Sequence, residues 1–232
     1  MDIERILNGD NTVPLLRVEK AKGSLPKEIE MLFNVPERTD FHPEGNSGEH
    51  TLLTLDEVAN ETPMVKYAML VHDLGKIVTF NEQIAKNPEG DKTQMVKHFG
   101  HAEKGIPLVE KVSAELGVPD EYADFAKLVC KQHMKAHDLD KMKDVKLYEF
   151  NQEIPDKYVE PFMKCCLADS LGRAVSDVEK DKIRADFTAK KQRLLEVRNY
   201  MKTHPNEDKN VFANNFAKYK KMSGKQSGSI EK

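Results

Sequence analysis

The stretch from Met64 to Lys76, Met-Val-Lys-Tyr-Ala-Met-Leu-Val-His-Asp-Leu-Gly-Lys, constrains the fold of this chain more than any other. Met64, Tyr67, Ala68, Val71 and Leu74 recur at spacings of three and four, which gathers them on one buried helical face. Pro63 can open that helix, and Gly75 is expected to close it. His72 and Asp73 stand at the end of the apolar run. An imidazole and a carboxylate side by side in apolar surroundings are costly to bury unless something satisfies them. A helix cap or a surface hydrogen bond is the ordinary solution. A divalent metal is the other, because imidazole nitrogen and carboxylate oxygen suit Mn, Fe, Co, Ni, Zn or Mg. Lys76 follows His72 by four residues and is expected on the same helical side, where an ammonium group can meet a phosphate.

Helical spacing of apolar residues recurs through the chain. Short patterns lie at Ile3–Val18 and after Pro26 (Ile29, Leu32, Phe33). Another starts at His50 and runs through Leu52, Leu55 and Val58. Longer ones run from Phe99-Gly100-His101 to Leu116, from Pro119 to His133, and from Pro161 to Ala174. A charged helix then extends to about Thr203, and a last one is expected over Val211–Tyr219. The prolines at 36 and 43 mark an extended loop between the third and fourth patterns. Residues 79–97 read as a polar loop of the length usually kept for function. Strand-like alternation is absent, so the expected class is all-α. The division expected is an N-terminal helical segment over 1–24, a main helical domain over 25–175, a basic helical extension over 176–221 and a disordered tail over 222–232.

A chain of 232 residues, 39% hydrophobic and 32% charged, can bury one sizeable core beneath a strongly solvated surface. Its net charge of −3 hides an asymmetry: residues 177–232 hold 14 Lys+Arg and 8 Asp+Glu, a net of +6, which leaves −9 on the rest. A basic end on an acidic body suggests an anionic partner, or simply a solvated helical face. Cys130, Cys165 and Cys166 lack C-x-x-C spacing, which argues for a reducing compartment and against a cysteine-rich zinc site. With no apolar run long enough for a membrane span and an acidic start, the expected location is the cytoplasm, with no membrane partner.

Polar residues that recur at helix ends or inside apolar helices are His50, His72, Asp73, His101, His133 and Asp169. Singly, each is ordinarily a hydrogen-bonded core or surface group. As the ordered set His50, His72-Asp73, Asp169, they resemble the HD-domain phosphohydrolases, an all-α superfamily. More narrowly, the chain is similar to the HD domain of bacterial CCA-adding enzymes, the multifunctional tRNA nucleotidyltransferases. Carrying that similarity are Leu32-Phe33-Asn34-Val35-Pro36, His42-Pro43-Glu44, Gly48-Glu49-His50-Thr51-Leu52 and His72-Asp73-Leu74-Gly75-Lys76. Gly100-His101-Ala102-Glu103-Lys104-Gly105 and Ala168-Asp169-Ser170-Leu171-Gly172-Arg173 complete it.

The resemblance implies a helical bundle, to which the chain's own residue pattern adds a long C-terminal helical extension. It implies that His50, His72, Asp73 and Asp169 bind a divalent metal (Mn, Ni, Co, Fe, Mg or Zn), and that His101 and His133 hold a second one or contact phosphate. Lys76 of the His-Asp-x-x-Lys element would touch the scissile phosphate. Hydrolysis of nucleotides, 2′,3′-cyclic nucleotides or other phosphomonoesters is the implied activity. Two departures accompany it. The nucleotidyltransferase head of those enzymes has no counterpart in the residues before the match, so CCA addition is not expected. Met134 follows His133 where relatives often carry Asp.

The expected catalytic residues are therefore Asp73, Lys76, His101 and His133, with either histidine as proton donor to the leaving oxygen. Arg173 is expected to orient Asp169, or else to reach substrate, and His42 to line the mouth of the site. His98 is a weaker ligand candidate, while His137 and His204 are expected in solvent. A rival reading is a non-catalytic module that binds tRNA or other RNA through Lys190, Lys191, Arg193, Arg198, Lys218, Lys220 and Lys221. A third is an interaction protein that uses the charged helix.

Overall fold

A computed structural model describes residues 1–9 and 11–227, with side chains to residue 221. The described residues form twelve α-helices. In chain order these are α1 (Ile3–Asn8), α2 (Thr12–Ala21), α3 (Lys27–Leu32), α4 (Ser47–Glu57), α5 (Pro63–Val71) and α6 (Gly75–Lys86). Then come α7 (His101–Leu116), α8 (Asp120–Ala136), α9 (Asp144–Glu153), α10 (Val159–Leu171), α11 (Asp177–Thr203) and α12 (Lys209–Ser227). Apart from one isolated bridge between Pro36 and Asn46, nothing extended pairs among them. The protein is all-α.

α5 is the central rod. Thr62 caps it by accepting from the Val65 N–H, and Pro63 occupies its first turn. Its sequence shows one apolar face, yet every residue from Val65 to Val71 is buried, because α1, α4, α8 and α10 surround it. Even Lys66 is covered, its ammonium donating to the Gly9 carbonyl at 2.9 Å.

Gly75 opens a helix instead of closing one. The chain turns at His72-Asp73-Leu74, and α6 begins at Gly75, so Lys76 stands on a different helix from the apolar run. The reason is tertiary. A Cβ on Gly75 would lie 1.9 Å from the His101 carbonyl oxygen and 2.6 Å from the Gly105 nitrogen. One on Gly105 would lie 2.5 Å from the Cys130 sulfur. These two glycines let the backbones of α6 and α7 touch, and that contact delivers the start of α7 to the end of α5. Gly172 does the same elsewhere: a Cβ there would meet the Thr54 nitrogen at 2.7 Å, so the end of α10 rests directly on α4.

The expected loop over 79–97 is also corrected. α6 continues to Lys86, burying Ile77 and Phe80, and only residues 87–100 form the connection, with a single 3₁₀ turn at Lys92–Gln94. Leu147–Phe150, a short apolar run after a polar stretch, is the middle of α9. α7 ends as its sequence indicates, on Gly117 in the left-handed region.

α11 starts on a Ser176 cap that accepts from the Glu179 N–H. It packs on α9 and α10, and α12 packs on α9. Phe187, Leu194, Val197, Tyr200, Phe212 and Phe216 of these two helices belong to the same hydrophobic core as Ile6 and Tyr67. The basic character of this region is largely answered within the chain. Lys190 pairs with Asp186, Lys191 with Glu160, Arg193 with Asp144 and Lys220 with Asp144. Arg198 pairs with Asp156 and donates to the Asn151 and Ile154 carbonyls. The tail expected from residue 222 is helical backbone as far as Ser227, and residues 228–232 lie outside the described residues. No described helix is long and apolar enough to cross a membrane.

Candidate metal centre

Four helix ends and one turn converge on two carboxylates. His50 comes from the first turn of α4, His72 and Asp73 from the turn after α5, and His101 from the start of α7. His133 comes from the last turn of α8, and Asp169 from the last turn of α10. All six expected residues meet. His50 Nε2 lies 2.9 Å from Asp169 Oδ1 and 3.9 Å from Asp73 Oδ2, while His72 Nε2 lies 3.3 Å from Asp73 Oδ2 and 3.6 Å from Asp169 Oδ1. The other oxygen of Asp73, Oδ1, faces His101 Nε2 at 3.3 Å and His133 Nε2 at 3.7 Å, and these two nitrogens are 3.2 Å apart.

What each imidazole does with its other nitrogen decides the chemistry. His50 Nδ1 donates to the Gly172 carbonyl at 2.9 Å, His72 Nδ1 to the Met69 carbonyl at 2.7 Å and His101 Nδ1 to the His98 carbonyl at 2.7 Å. His133 Nδ1 donates to the Cys130 carbonyl at 3.0 Å. A carbonyl only accepts, so each Nδ1 carries a hydrogen; Nε2 of His50 bonds Asp169 Oδ1, and the other three Nε2 atoms turn inward toward Asp73 and one another. Where such a ring is neutral, its Nε2 lone pair faces a carboxylate oxygen or, between His101 and His133, a second Nε2 at 3.2 Å. Both oxygens of Asp73 and Nε2 of His72 are buried without a hydrogen-bond partner. Lys76 lies 2.9 Å from Asp73 Oδ2, but as an ion pair outside hydrogen-bonding angles.

Acceptors crowded on acceptors are stable only around positive charge. Ligand atoms about 3 Å apart are what metal bonds of roughly 2.0–2.2 Å require, and histidines anchored through Nδ1 are the usual form of metal-binding imidazole. Of three groups of side chains among the described residues that could hold a metal ion, one is His42, Glu44 and His50, and two lie at the centre: His50, His72 and Asp73, and Asp73, His101 and His133. Asp73 belongs to both.

Three comparisons bear on this arrangement. The chain is 35% identical over 182 residues to the multifunctional CCA protein of Alkalilimnicola ehrlichii, covering 74% of this chain and 41% of that protein. It is 36% identical over 166 residues to that of Acinetobacter baylyi, with 68% and 37% covered, and 35% identical over 153 residues to that of Shewanella frigidimarina, with 63% and 34% covered. The chain is homologous to multifunctional CCA proteins. It spans about two-fifths or less of the length of these CCA relatives. No family model matches it.

The centre's electrostatics follow from its packing. Burial opposes charge on His50, but hydrogen bonds with Asp169 and Glu44 outweigh it and raise the imidazole to about 9. His72 rises to about 10, where burial is outweighed by the charge of Asp73 and by Asp169. Burial also works against the carboxylates, yet the charges of His72 and Lys76 hold Asp73 well below the usual range, and His137 and His50 do the same for Asp169. His133 goes the other way: burial pushes it down to about 3, reinforced by His72 and His101. It is uncharged near neutrality and offers a lone pair rather than a proton.

Three side chains escaped the sequence reading. His137, expected in solvent, donates through Nε2 to Asp169 Oδ2 at 2.9 Å and bonds Ser170 through Nδ1. It caps α8 four residues after His133, a same-face spacing that could have flagged it. Glu44 accepts from His42 at 2.9 Å and from His50 Nδ1 at 3.0 Å, and also from the Ala174 N–H, so it ties α4 to the end of α10. Glu37 is buried and takes Lys76 Nζ and the Ser47 hydroxyl, each at 2.7 Å.

Arg173 does not orient Asp169. Its Nε donates to the Ser170 carbonyl at 2.9 Å, because His137 and His50 already occupy the two carboxylate oxygens. His98 is a brace rather than a ligand: its ring bonds Thr79 and the Pro36 carbonyl. Above the centre opens a cleft of about 640 Å³, with Asp73, His101, His133 and Asp169 in its floor and His42, Lys76 and Arg173 in its walls.

Proposed function

We propose that the chain is a metal-dependent phosphohydrolase that cleaves the phosphoester of a nucleotide, a 2′,3′-cyclic nucleotide or an RNA 3′ end. The observation that carries this reading is the ring of imidazoles, each fixed by an Nδ1 bond to a backbone carbonyl, around Asp73, whose two carboxylate oxygens are buried, with His72 Nε2, without a hydrogen-bond partner.

His50, His72, Asp73 and Asp169 would hold the first divalent ion. Asp73 Oδ1, His101 and His133 form the second group that fits one. A bound ion of this kind supplies charge neutralisation on phosphoryl oxygens and a hydroxide available near neutral pH. The chain's own part is positional. Lys76, fixed by Glu37 and Asp73, brings a buried cation to the cleft, where it would meet the scissile phosphate. Its charge is secure, since those two carboxylates raise it above the ordinary lysine value despite burial. Arg173 and His42, from the walls, would contact the same substrate.

The homologous relatives are named for CCA, which supports an RNA-related substrate; their activity as whole proteins is not assigned to this chain. The rival reading, a binding module without catalysis, draws less support, because most of the cations it would use are paired with the chain's own carboxylates.

The test is elemental analysis of the purified protein, then a phosphoester screen in Mn, Ni, Co and Mg. Asp73→Ala should lose metal and at least about 100-fold in hydrolysis together, with an unchanged circular dichroism spectrum. Retention of both removes Asp73 from the site. Metal bound by the parent protein without cleavage of any phosphoester moves the binding-module reading ahead.

A further inference from the structure

Two exposed phenylalanines stand on the rim of the cleft. Phe99 is 84% exposed and Phe41 is 52% exposed, and Met134 beside them is 46% exposed. A single apolar side chain in solvent is ordinary. Of the seven large hydrophobic side chains exposed among the described residues, however, these three border one cleft, above a floor of imidazoles and carboxylates. An apolar cluster confined to the mouth of a polar site marks a contact surface.

The backbone under each phenylalanine is tied down. Phe99 sits between His98, whose ring is held at 2.9 Å by Thr79 and at 3.1 Å by the Pro36 carbonyl, and Gly100, whose φ of +76° makes the turn into α7. The His101 N–H closes that turn on the His98 carbonyl at 3.2 Å. Phe41 carries the Arg38 guanidinium 4.6 Å from its ring centre, and Asp40 fixes that guanidinium with two hydrogen bonds. Each ring is therefore presented on an anchored segment. An aromatic ring held in solvent at a fixed place gives up the gain of burial, and that gain is recovered when a flat partner covers it.

The partner must suit both ends of the cleft. Its apolar end is flat and aromatic, and its charged end offers Lys76, Lys97 and Arg173. A cleft of about 640 Å³ has room for one nucleotide and not for a paired stem. We propose that Phe41 and Phe99 are the base-recognition elements of this cleft: they stack the nucleobase of an unpaired nucleoside phosphate while its phosphate enters the floor. Stacking is indifferent to base edges, so the selection is for the presence of a base and not for its identity. The inference rests on the phosphoester reading of the floor.

Binding, measured without turnover, separates the two ideas. Calorimetric titration of the whole chain, loaded with Mn, compares AMP with ribose 5-phosphate, which lacks only the base, both used as their non-cleavable phosphonate analogues. AMP should bind about 10-fold tighter or more, and Phe41→Ala/Phe99→Ala should bind AMP no better than ribose 5-phosphate. Both side chains are exposed, so the double variant should keep its melting temperature; Phe99→Leu, which stays apolar but cannot stack, should lose most of the preference too. Equal affinity for the two ligands in the parent protein, or a preference that survives the double substitution, overturns the proposal. A base preference without any phosphoester cleavage sinks the hydrolase reading and leaves the aromatic rim standing; cleavage without preference does the reverse. Given the preference, a trinucleotide that binds tighter than AMP identifies an RNA terminus as the source of the base, and equal binding identifies a free nucleotide.

Discussion

His137 shows how a single residue can matter to a metal centre without facing it. Asp169 divides its two oxygens between His50 and His137, so the second imidazole sets the plane of the carboxylate and therefore the direction of Oδ1. Truncation to alanine leaves Oδ2 without its donor and lets the carboxylate rotate. His137→Ala should weaken metal binding about 10- to 100-fold, as loss of an outer partner commonly does. Competition against a chelating indicator measures it, and His204→Ala, an exposed ring stacked on Tyr200, is the control that should change nothing. Unchanged affinity in His137→Ala would make its bond to Asp169 incidental. The six residues that face the centre were legible as an ordered set resembling that of a known family; of them, His72, Asp73 and Asp169 also stand among apolar neighbours, where a polar side chain needs a reason. Glu37 was not, since its partner Lys76 lies 39 positions away and nothing in its own neighbourhood is unusual; His137 was missed although its spacing from His133 puts both on one helical face.

Elements bring these residues together through glycine. The α5 pattern was read correctly as a helix, and its end residues were read correctly as polar groups of consequence. What local pattern could not reveal is that Gly75 serves a contact with α7, because that contact joins residues of separate helices. A methyl group on Gly75 would strike backbone, the His101 carbonyl at 1.9 Å, and backbone cannot step aside as a side chain can. Gly75→Ala should cost about 3 kcal/mol, the upper end for overpacking, which lowers the melting temperature by about 6–12 °C in a chain of this size. It should also displace His101 and weaken metal binding. Gly117→Ala provides the contrast. Its φ of +63° carries a penalty of about 1–2 kcal/mol, but nothing lies within 4 Å of the new methyl, so stability falls while metal affinity stays. Equal metal affinity in both variants would mean that α6 and α7 can separate without disturbing the centre.

At the scale of the whole molecule, the charge asymmetry of the sequence turns out to describe how the chain closes on itself. A basic C-terminal region and an acidic body looked like separate parts, one of them available to an anionic partner. The fold sets α11 and α12 against α9 and α10 with ion pairs at the margins and aromatic rings in the middle: Tyr200, Phe212 and Phe216 lie with centroids 5.0–5.7 Å apart. Exposed pairs of this kind contribute little each, so the attachment depends on the rings. Phe212 is fully buried and also packs on Tyr148 of α9 at 4.8 Å. Phe212→Ala should therefore destabilise the protein by about 3–5 kcal/mol. Because the rings belong to the core that also supports α5, the loss should appear as one cooperative transition shifted downward, seen alike by circular dichroism and by calorimetry. An early, separate melting of α11 and α12, with the remaining transition unmoved, would show instead that the extension is an independent attachment whose cations are open to other partners.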